Sequence, residues 1–370
     1  MEGMNIERTR AGLSVARNLE SDLRGSRVEE RTLARIGALN TGMRADSDPA
    51  TSGLGALLCD GVGGARPLSL AEAATPPAAP GWMWVHLDHA DPEHRAWLQA
   101  SAGLDALTCE ALLEQETRPR FVTERDHMLI LLRGVNLNPG SDPDDMISLR
   151  IWVEAHRVIS LRHRRLLAVQ DVRKRLLAGD GPTTPGELLV AVASRLVDRQ
   201  AGVVDAMEDT VDEIEMQLMS DPGYTLRSRI AEFRRQAIGL RRYIAPQRDV
   251  LSRLVHEKVS WLGDQQRARL REVAERQVRL VEEVDSARER AGIAQEELSG
   301  RLSEQMNRNM YVLSLVAGVF LPLGLLTGLL GINVGGMPGI DSPYAFAIVC
   351  VILLATAALV VWWFRRARLL

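Results

Sequence analysis

The chain has 370 residues, which exceeds one ordinary domain, and a formal net charge of -3 at pH 7. This charge gives no electrostatic reason to expect a nucleic acid as a partner. The three cysteines, Cys59, Cys109 and Cys350, are far apart in the sequence and form no CxxC pair. Neither a disulfide framework nor a zinc finger is indicated, and we expect a reducing environment.

Residues 1–52 differ in character from the rest of the chain. They carry many charges, contain no apolar run long enough for a signal peptide, and lead into the loop-like sequence Asp-Pro-Ala-Thr-Ser-Gly at 48–53. We interpret them as a disordered or loosely helical N-terminal extension. Met43 is a candidate internal start. The extension is therefore either the result of a gene model that begins too early or a regulatory arm.

Residues 53–184 alternate strand-like and helix-like stretches, which predicts a cytoplasmic α/β domain with a mixed sheet. The pattern predicts strands at 54–59 and 82–87, short helices at 92–102 and 105–115, and longer strand regions at 121–135 and 147–161. Residues 61–64, Gly-Val-Gly-Gly, are too short for a dinucleotide fingerprint, and no clear helix follows them. We therefore interpret them as a turn.

A cluster of imidazoles and carboxylates follows the second predicted strand, and both groups are zinc ligands. The candidate cytosolic metal ligands are His86, Asp88, His89 and His94. Alternation along a strand places His86 and Asp88 on one face and His89 on the other, so we favour a solvated strand-to-helix corner over a metal site. The chain has no Ser/His/Asp arrangement and no HExxH, so we predict that it is not an enzyme.

Residues 185–308 predict a helical stalk domain with long uninterrupted helices. A helix over 188–219 is followed by Asp-Pro-Gly at 221–223 and by a second helix over 225–258. The first helix has an acidic run at 205–215, whereas the second is rich in arginine: Arg227, Arg229, Arg234, Arg235, Arg241 and Arg242. Antiparallel packing would pair these charges. The alternative is a cation-binding role for the acidic run.

A third helix is predicted from Asp264, because no proline interrupts the chain from there to Pro322. Its apolar positions lie among Glu and Arg, which is typical of a helix that packs in a bundle. If it continues to Leu330, it is about 100 Å long at 1.5 Å per residue. Such a helix would connect the cytoplasm directly to a membrane.

Residues 309–370 predict a transmembrane hairpin, with spans at 309–330 and 344–364 and a loop at 331–343. Each span is long enough to cross a hydrocarbon core of roughly 30 Å. The loop contains no Lys or Arg, whereas arginines flank the hairpin: Arg301, Arg308, Arg365, Arg366 and Arg368. Both termini should therefore be cytoplasmic. Between Arg308 and Arg365, Asp341 is the only residue whose side chain is normally charged at neutral pH.

Two helices cannot enclose a pore, so transport through this hairpin requires a symmetric oligomer. The first span ends in unpaired carbonyls, and Asn333 adds an amide oxygen for a cation or its water shell. Steps of three or four residues back from Asn333 give one helical face: Gly328, Gly324, Leu321, Ala317, Leu313, Met310 and Asn307. The residues alone are compatible with a pore face or a packing face, and with a filter or helix-cap role for Asn333.

The membrane end of the chain resembles CorA-type divalent-cation transporters. The resemblance rests on Leu321-Pro322 within the first span, on the tripeptide Gly331-Ile332-Asn333 that closes it, and on the long preceding helix. The family usually has Gly-Met-Asn at the tripeptide. Ile332, together with Arg-Arg-Tyr-Ile-Ala-Pro-Gln-Arg-Asp-Val at 241–250, resembles the zinc-transporter branch of the family, ZntB.

The resemblance implies an α+β membrane protein in which a CorA-like funnel of α/β domains precedes a helical stalk and two C-terminal transmembrane helices. It implies a homopentamer in the cell inner membrane that moves zinc and related divalent cations. Gly331, Ile332 and Asn333 would form the selectivity filter, the face running from Asn307 to Gly328 would line the pore, and Asp341 would lie at the outer mouth.

No covalently bound cofactor is expected, and the transported ion would be Zn²⁺, with Co²⁺, Ni²⁺, Cd²⁺ and Mg²⁺ as further candidates. Two alternatives remain open. One is a magnesium or cobalt channel of the CorA type. The other is a membrane-anchored helical scaffold protein.

Overall fold

In this computed structural model, the structure describes residues 54–77, 81–114, 118–220, 224–331 and 343–366. The predicted N-terminal extension lies outside these ranges, as do Ile332, Asn333 and Asp341. Contacts between residues divide the chain into two compact units, Met1–Ala294 and Gln295–Leu370.

The first unit is built on a mixed seven-stranded sheet, as predicted. Its strands are β1 (Gly55–Cys59), β2 (Ala65–Leu68), β3 (Trp82–Asp88), β4 (Arg120–Glu124), β5 (His127–Gly134), β6 (Ile147–Val153) and β7 (Arg157–Arg162). They lie in the order β2-β1-β3-β7-β6-β5-β4. Strands β3 and β7 pair in parallel, and all the other neighbours are antiparallel.

The glycine-rich sequence at 61–64 forms the turn between β1 and β2, as predicted. The Asp60 carboxylate accepts hydrogen bonds from the backbone N–H groups of Val62 and Gly64, at 2.8 and 2.9 Å. Strand β2 was not predicted, since it contains Pro67. It lies at the edge of the sheet, where proline is tolerated because one side of the strand needs no ladder hydrogen bonds.

The predicted strand region at 121–135 is a hairpin, in which Arg125 and Asp126 connect β4 to β5. Arg125 has φ 54°, which is uncommon for an arginine, so the sequence carries no turn signal here. Distant residues hold this turn. The Asp126 carboxylate accepts from the Ser260 backbone N–H at 2.6 Å, and the Asp126 carbonyl accepts from Trp261 Nε1 at 2.8 Å.

Helices cover both faces of the sheet. On one face, α1 (Pro92–Ala100) and α2 (Ala106–Leu113) pack on a core that contains Met83, Val85 and Leu87 of β3. Asp91 and Asp105 cap these helices by accepting hydrogen bonds from Glu93 N–H and Thr108 N–H, each at 2.8 Å. On the other face, alternate residues of β3, β6 and β7 pack against apolar residues of α3 (Leu167–Leu177) and α4 (Pro185–Ser220).

Helix α3 was not predicted from the sequence. Its buried side includes Gln170 and Arg173 as well as apolar residues, so the apolar stripe that marks an amphipathic helix is interrupted. The long helices were predicted: α5 spans Tyr224–Leu254 and α6 spans Asp264–Leu330. The predicted break at 221–223 lies outside the described residues.

The acidic run of α4 pairs with two helices rather than with α5 alone, which corrects part of the sequence prediction. Arg229 of α5 contacts Glu213 at 3.1 Å, as predicted. Arg290 of α6 contacts both Asp212 and Glu215, at 2.5 and 2.6 Å. Arg241 of α5 pairs with α6 instead, through Asp285. The arginines of α5 therefore pair with two helices, because α6 packs against α4 and α5.

The second unit contains the C-terminal part of α6 and the helix α7 (Ala345–Arg366). Among the described residues, these two helices are long and apolar enough to cross a membrane. The helix bounds of α7 agree with the predicted second span within two residues.

Candidate ion pathway

The predicted pore face of α6 is exposed in the single chain. Its exposed members are Asn307, Met310, Leu313, Leu321, Gly324 and Gly328, and Ala317 is half-buried. Leu313 and Leu321 are 68% and 72% exposed. Exposed apolar side chains such as Met310, Leu313 and Leu321 indicate a surface that lipid or further protein covers.

Helix α7 contacts another side of α6. A Cβ atom added at Gly318 would lie 2.7 Å from Phe364 Cζ, so the two helices approach closely at this glycine. The less exposed residues around it recur at steps of three or four: Leu315, Val319, Pro322 and Leu326. At about 100° per residue, this stripe lies opposite the predicted pore face. The hairpin contact therefore leaves the predicted face free.

The glycines of the predicted face have no packing partner within the described part of the chain. A Cβ atom added at Gly324 or Gly328 would have no neighbouring atom within 4 Å. The packing interpretation, which the sequence left open, therefore finds no support from contacts inside one chain. It would have to involve another copy or lipid.

Helix α6 ends at Leu330, directly before the tripeptide that the sequence analysis predicts as a filter. The Gly331 N–H donates to the Thr327 carbonyl at 2.9 Å, and the Thr327 hydroxyl reaches the carbonyls of Leu323 and Gly324 at 3.0 and 3.1 Å. Hydrogen bonds of this kind, to carbonyls of the preceding turn, give the hydroxyl an acceptor within an apolar helix. The last carbonyls carry the partial negative charge of the helix end. The filter residues Ile332 and Asn333 and the mouth residue Asp341 lie outside the described residues, so their roles stay predictions.

Two histidines of the cluster in the first unit are buried, and Asp88 and His94 are half-buried. His86 is 1% exposed, and its Nδ1 lies 2.8 Å from the Ser160 hydroxyl, which also accepts from Trp84 Nε1 at 2.8 Å. Burial is the main cause that lowers the pKa of His86 well below 6.5. His89 is 2% exposed, and its Nε2 lies 2.9 Å from the Leu113 carbonyl.

The other members of the cluster are also engaged locally. His94 Nδ1 accepts from the backbone N–H of Asp88 at 3.1 Å, and the Asp88 carboxylate accepts from the Ala90 N–H at 2.9 Å. Within the described ranges, no three His, Cys, Asp or Glu side chains are grouped as a metal site. The cytosolic metal site suggested by the sequence is therefore not assembled. His86 and His89 are buried, whereas Ala90, Pro92 and Glu93 of the strand-to-helix corner are exposed, so the corner is partly solvated.

A separate group of acids lies where α4 faces α6. Burial raises the pKa of Glu283, and the neighbouring Glu208 and Asp205 raise it further. Glu208 and Asp205 belong to the acidic run for which the sequence left a cation-binding role open, whereas Glu283 lies on α6. Within the described part of the chain, these carboxylates do not form a group that could hold a metal ion.

The sequence and structure match a known transporter family. Residues 80–366 match the family described as CorA-like Mg2+ transporter protein. The divalent cation transporter CmaX of Pseudomonas aeruginosa is 43% identical over 288 residues, which are 77% of this chain and 87% of that protein. The zinc transport protein ZntB of Yersinia enterocolitica is 36% identical over 309 residues, which are 84% and 93% of the two chains.

Solved structures share the fold. The structure of full-length CmaX has a TM-score of 0.75 at 41% identity and covers 85% of this chain and 97% of that one. The CorA magnesium transporter of Methanocaldococcus jannaschii has a TM-score of 0.71 at 18% identity, with 85% and 98% covered, and so bears on the fold alone. These relatives are transport proteins rather than enzymes, as the sequence predicted. By sequence, by fold and by its two apolar C-terminal helices, the chain belongs to the CorA-like transporter family.

Proposed function

We propose that this chain forms a homopentameric inner-membrane transporter that moves zinc and related divalent cations through a central pore. The observation that carries the proposal is the face of α6 running from Asn307 to Gly328, which α7 leaves free and which ends at the Gly331-Ile332-Asn333 tripeptide. A pore requires several copies of this face around one axis, because two helices cannot enclose a channel.

The chemistry of the face suits a hydrated cation. Met310, Leu313 and Leu321 would form apolar rings that close the pore by dewetting, and the glycines at 324 and 328 would keep its outer part wide. The helix ends would collect negative potential at the mouth. Asn333 would hold the water shell of the ion through its amide, and Asp341 would add a carboxylate outside it.

Zinc is favoured as the cargo by the similarity to ZntB, and by Ile332 at the position where the family usually has methionine. The similarity to CmaX, named a divalent cation transporter, is compatible with a broader ion range. The magnesium or cobalt channel is therefore the second candidate. The scaffold alternative loses support, because the chain belongs to a transporter family.

Ion flux into vesicles tests the proposal. Purified protein in lipid vesicles should take up Zn²⁺ faster than Mg²⁺ at equal concentrations, and protein-free vesicles should take up neither. Faster uptake of Mg²⁺ or Co²⁺ would favour the CorA-type channel. Absence of flux for every divalent ion, with the oligomer intact, would contradict a transport function.

A further inference from the structure

The first unit contains a basic cavity that the transport pathway does not use. It has a volume of about 650 Å³, and its lining includes Arg118, Arg133, His163, Arg164, Arg242 and Tyr243. The C-terminal ends of β5 and β7 and the N-terminal end of β6 contribute one wall, and α5 contributes Arg242 and Tyr243. Four arginines from separate segments therefore converge on one concavity.

Positive charge in this cavity is poorly balanced. Among the lining residues in the described part of the chain, Asp145 is the one carboxylate, and it forms an ion pair with Arg164. An ordinary solvated surface would scatter such arginines rather than direct four of them into one cavity.

Two groups at or near the cavity have pKa values that are lowered mainly by burial and further by nearby positive charge. Burial lowers the pKa of Arg150 to about 10, and the positive charge of Arg133 lowers it further. Burial also lowers the pKa of His163 to about 4, with His89 and Arg150 acting in the same direction and Asp88 opposing them. An anion in the cavity would offset only the smaller contribution, the one from nearby positive charge.

The central arginine is held in place from several sides. Arg133 Nη1 donates to the Met146 carbonyl at 2.7 Å, and its guanidinium lies 4.4 Å from the centre of the Tyr243 ring. The Arg133 backbone N–H donates to Gln247 Oε1 at 2.7 Å, and its carbonyl accepts from Gln200 Nε2 at 3.0 Å. Both glutamines are at most 1% exposed. A guanidinium fixed in this way loses little entropy when it binds a ligand.

We propose that this cavity is a binding site for a polyphosphate anion, either inorganic or carried by a nucleotide. Guanidinium groups match phosphate oxygens in bidentate geometry, and several of them in one cavity favour a chain of phosphates over a single one. The volume lies within the range of about 300–1,000 Å³ that small-molecule sites occupy. Arg133 and Arg242 lie over the Tyr243 ring, so recognition rests on the phosphates rather than on stacking with a base.

Calorimetry on the full-length protein in detergent tests the site without any transported metal. With EDTA present and ionic strength fixed, tripolyphosphate and ATP should each bind saturably, once per chain, whereas adenosine should not bind. Equal affinities for the two would identify the phosphate chain as the ligand, and tighter binding of ATP would identify a nucleotide. Citrate of similar charge should bind at least about tenfold more weakly, because it lacks phosphate geometry.

Matched variants locate the site. Arg118→Gln combined with Arg242→Gln should weaken tripolyphosphate binding by at least about tenfold, since two charge-assisted contacts are lost. Arg235→Gln is the control, because Arg235 is exposed on the same helix α5 outside the cavity. Unchanged binding in the double variant, an equal loss in the control, or equal binding of citrate would overturn the proposal. None of these outcomes depends on transport, so the pore proposal stands or falls separately.

Discussion

At the scale of single residues, the chain uses one polar side chain for structure and another for its proposed function. His86 is enclosed by β3 and β7, where the Ser160 hydroxyl is close enough to donate to a neutral imidazole. Asn333 follows the free end of α6 and is proposed to face the ion.

Replacement of His86 should make the protein less sensitive to acid. The pKa of His86 lies well below 6.5 in the folded state, so the unfolded chain binds more protons as the pH falls below 6.5. Folding stability is therefore lost progressively as the pH falls from that value towards the folded pKa. In His86→Gln, the melting temperature of the detergent-solubilised protein should fall less steeply between about pH 7.5 and 5 than in the wild type.

The exposed His256 provides the control for this experiment. His256→Gln makes the same change at an exposed side chain, so its pH profile serves as the reference for the His86 variant. Altered packing at residue 86 should lower the melting temperature by the same amount at every pH. Comparing the slopes of melting temperature against pH therefore removes this effect. Parallel profiles for all three proteins would show that His86 does not carry the acid sensitivity.

Replacement of Asn333 should abolish transport of several ions together. Bare zinc prefers Cys, His and carboxylate ligands, whereas the proposed pathway offers amides and backbone carbonyls, so we expect a hydrated ion to be selected. Co²⁺, Ni²⁺ and Cd²⁺ should compete with Zn²⁺ in vesicle uptake. Asn333→Leu should remove flux of all four ions and leave the oligomer assembled. Zinc flux near the wild-type rate, or failure of excess Co²⁺ to compete, would require a dehydrated zinc site elsewhere.

At the scale of elements, α6 divides its apolar surface between two tasks. One side approaches α7 through Gly318, and the opposite side carries the exposed Leu313 and Leu321. Helical periodicity makes this division possible, because residues three or four apart share a side while residues two apart do not. Glycine occurs on both sides, so residue type alone does not distinguish the packing side from the pore side.

Replacing Gly318 and Gly324 by leucine should distinguish the packing side of α6 from the proposed pore side. In Gly318→Leu, the new side chain would collide with Phe364, and overpacking of this kind costs about 1–3 kcal/mol. Gly324→Leu adds a side chain where the chain leaves open space, and leucine is about 1 kcal/mol more favourable than glycine inside a helix. We expect a lower melting temperature for Gly318→Leu and an unchanged or higher one for Gly324→Leu.

Gly324→Leu should impair transport even though it does not lower the melting temperature. If this glycine lines the pore, Gly324→Leu should reduce zinc uptake at least about tenfold despite normal stability, because five new side chains would narrow the channel. Vesicle uptake at equal protein density measures this effect. Normal flux through Gly324→Leu, or destabilisation equal to that of Gly318→Leu, would place Gly324 in a packing contact.

At the scale of the whole molecule, the proposed pore exists only in an oligomer. Each chain provides two apolar helices, and a closed cyclic arrangement would cover the exposed face of α6 around a central axis. The arginines on either side of the hairpin would place residues 331–343 outside the cell and both termini inside.

Mass measurement and chemical labelling test this arrangement. The purified protein should have the mass of a pentamer. A Ser342→Cys variant in a Cys350→Ser background should react with an impermeant thiol reagent from the outer side, since Cys59 and Cys109 are buried. Reaction from the cytoplasmic side alone would contradict the topology. A stable dimer would contradict the pentamer.

The sequence by itself determined the features that depend on neighbouring residues. Helix α6 has the predicted bounds, from Asp264 to Leu330, because helical periodicity and the absence of proline before Pro322 are local properties. The two apolar helices follow from length and composition in the same way. The tripeptide beginning at Gly331 identified the family before any contact was known.

The tertiary structure decided what depends on residues far apart in the chain. Ser260 and Trp261 hold the turn at Asp126, Arg290 contacts the acidic run of α4, and Ser160 meets His86. The basic cavity likewise needs arginines from four segments, which come together only when the sheet packs against α5. Such pairings form when distant elements pack, so periodicity and spacing along the chain do not encode them in a readable way.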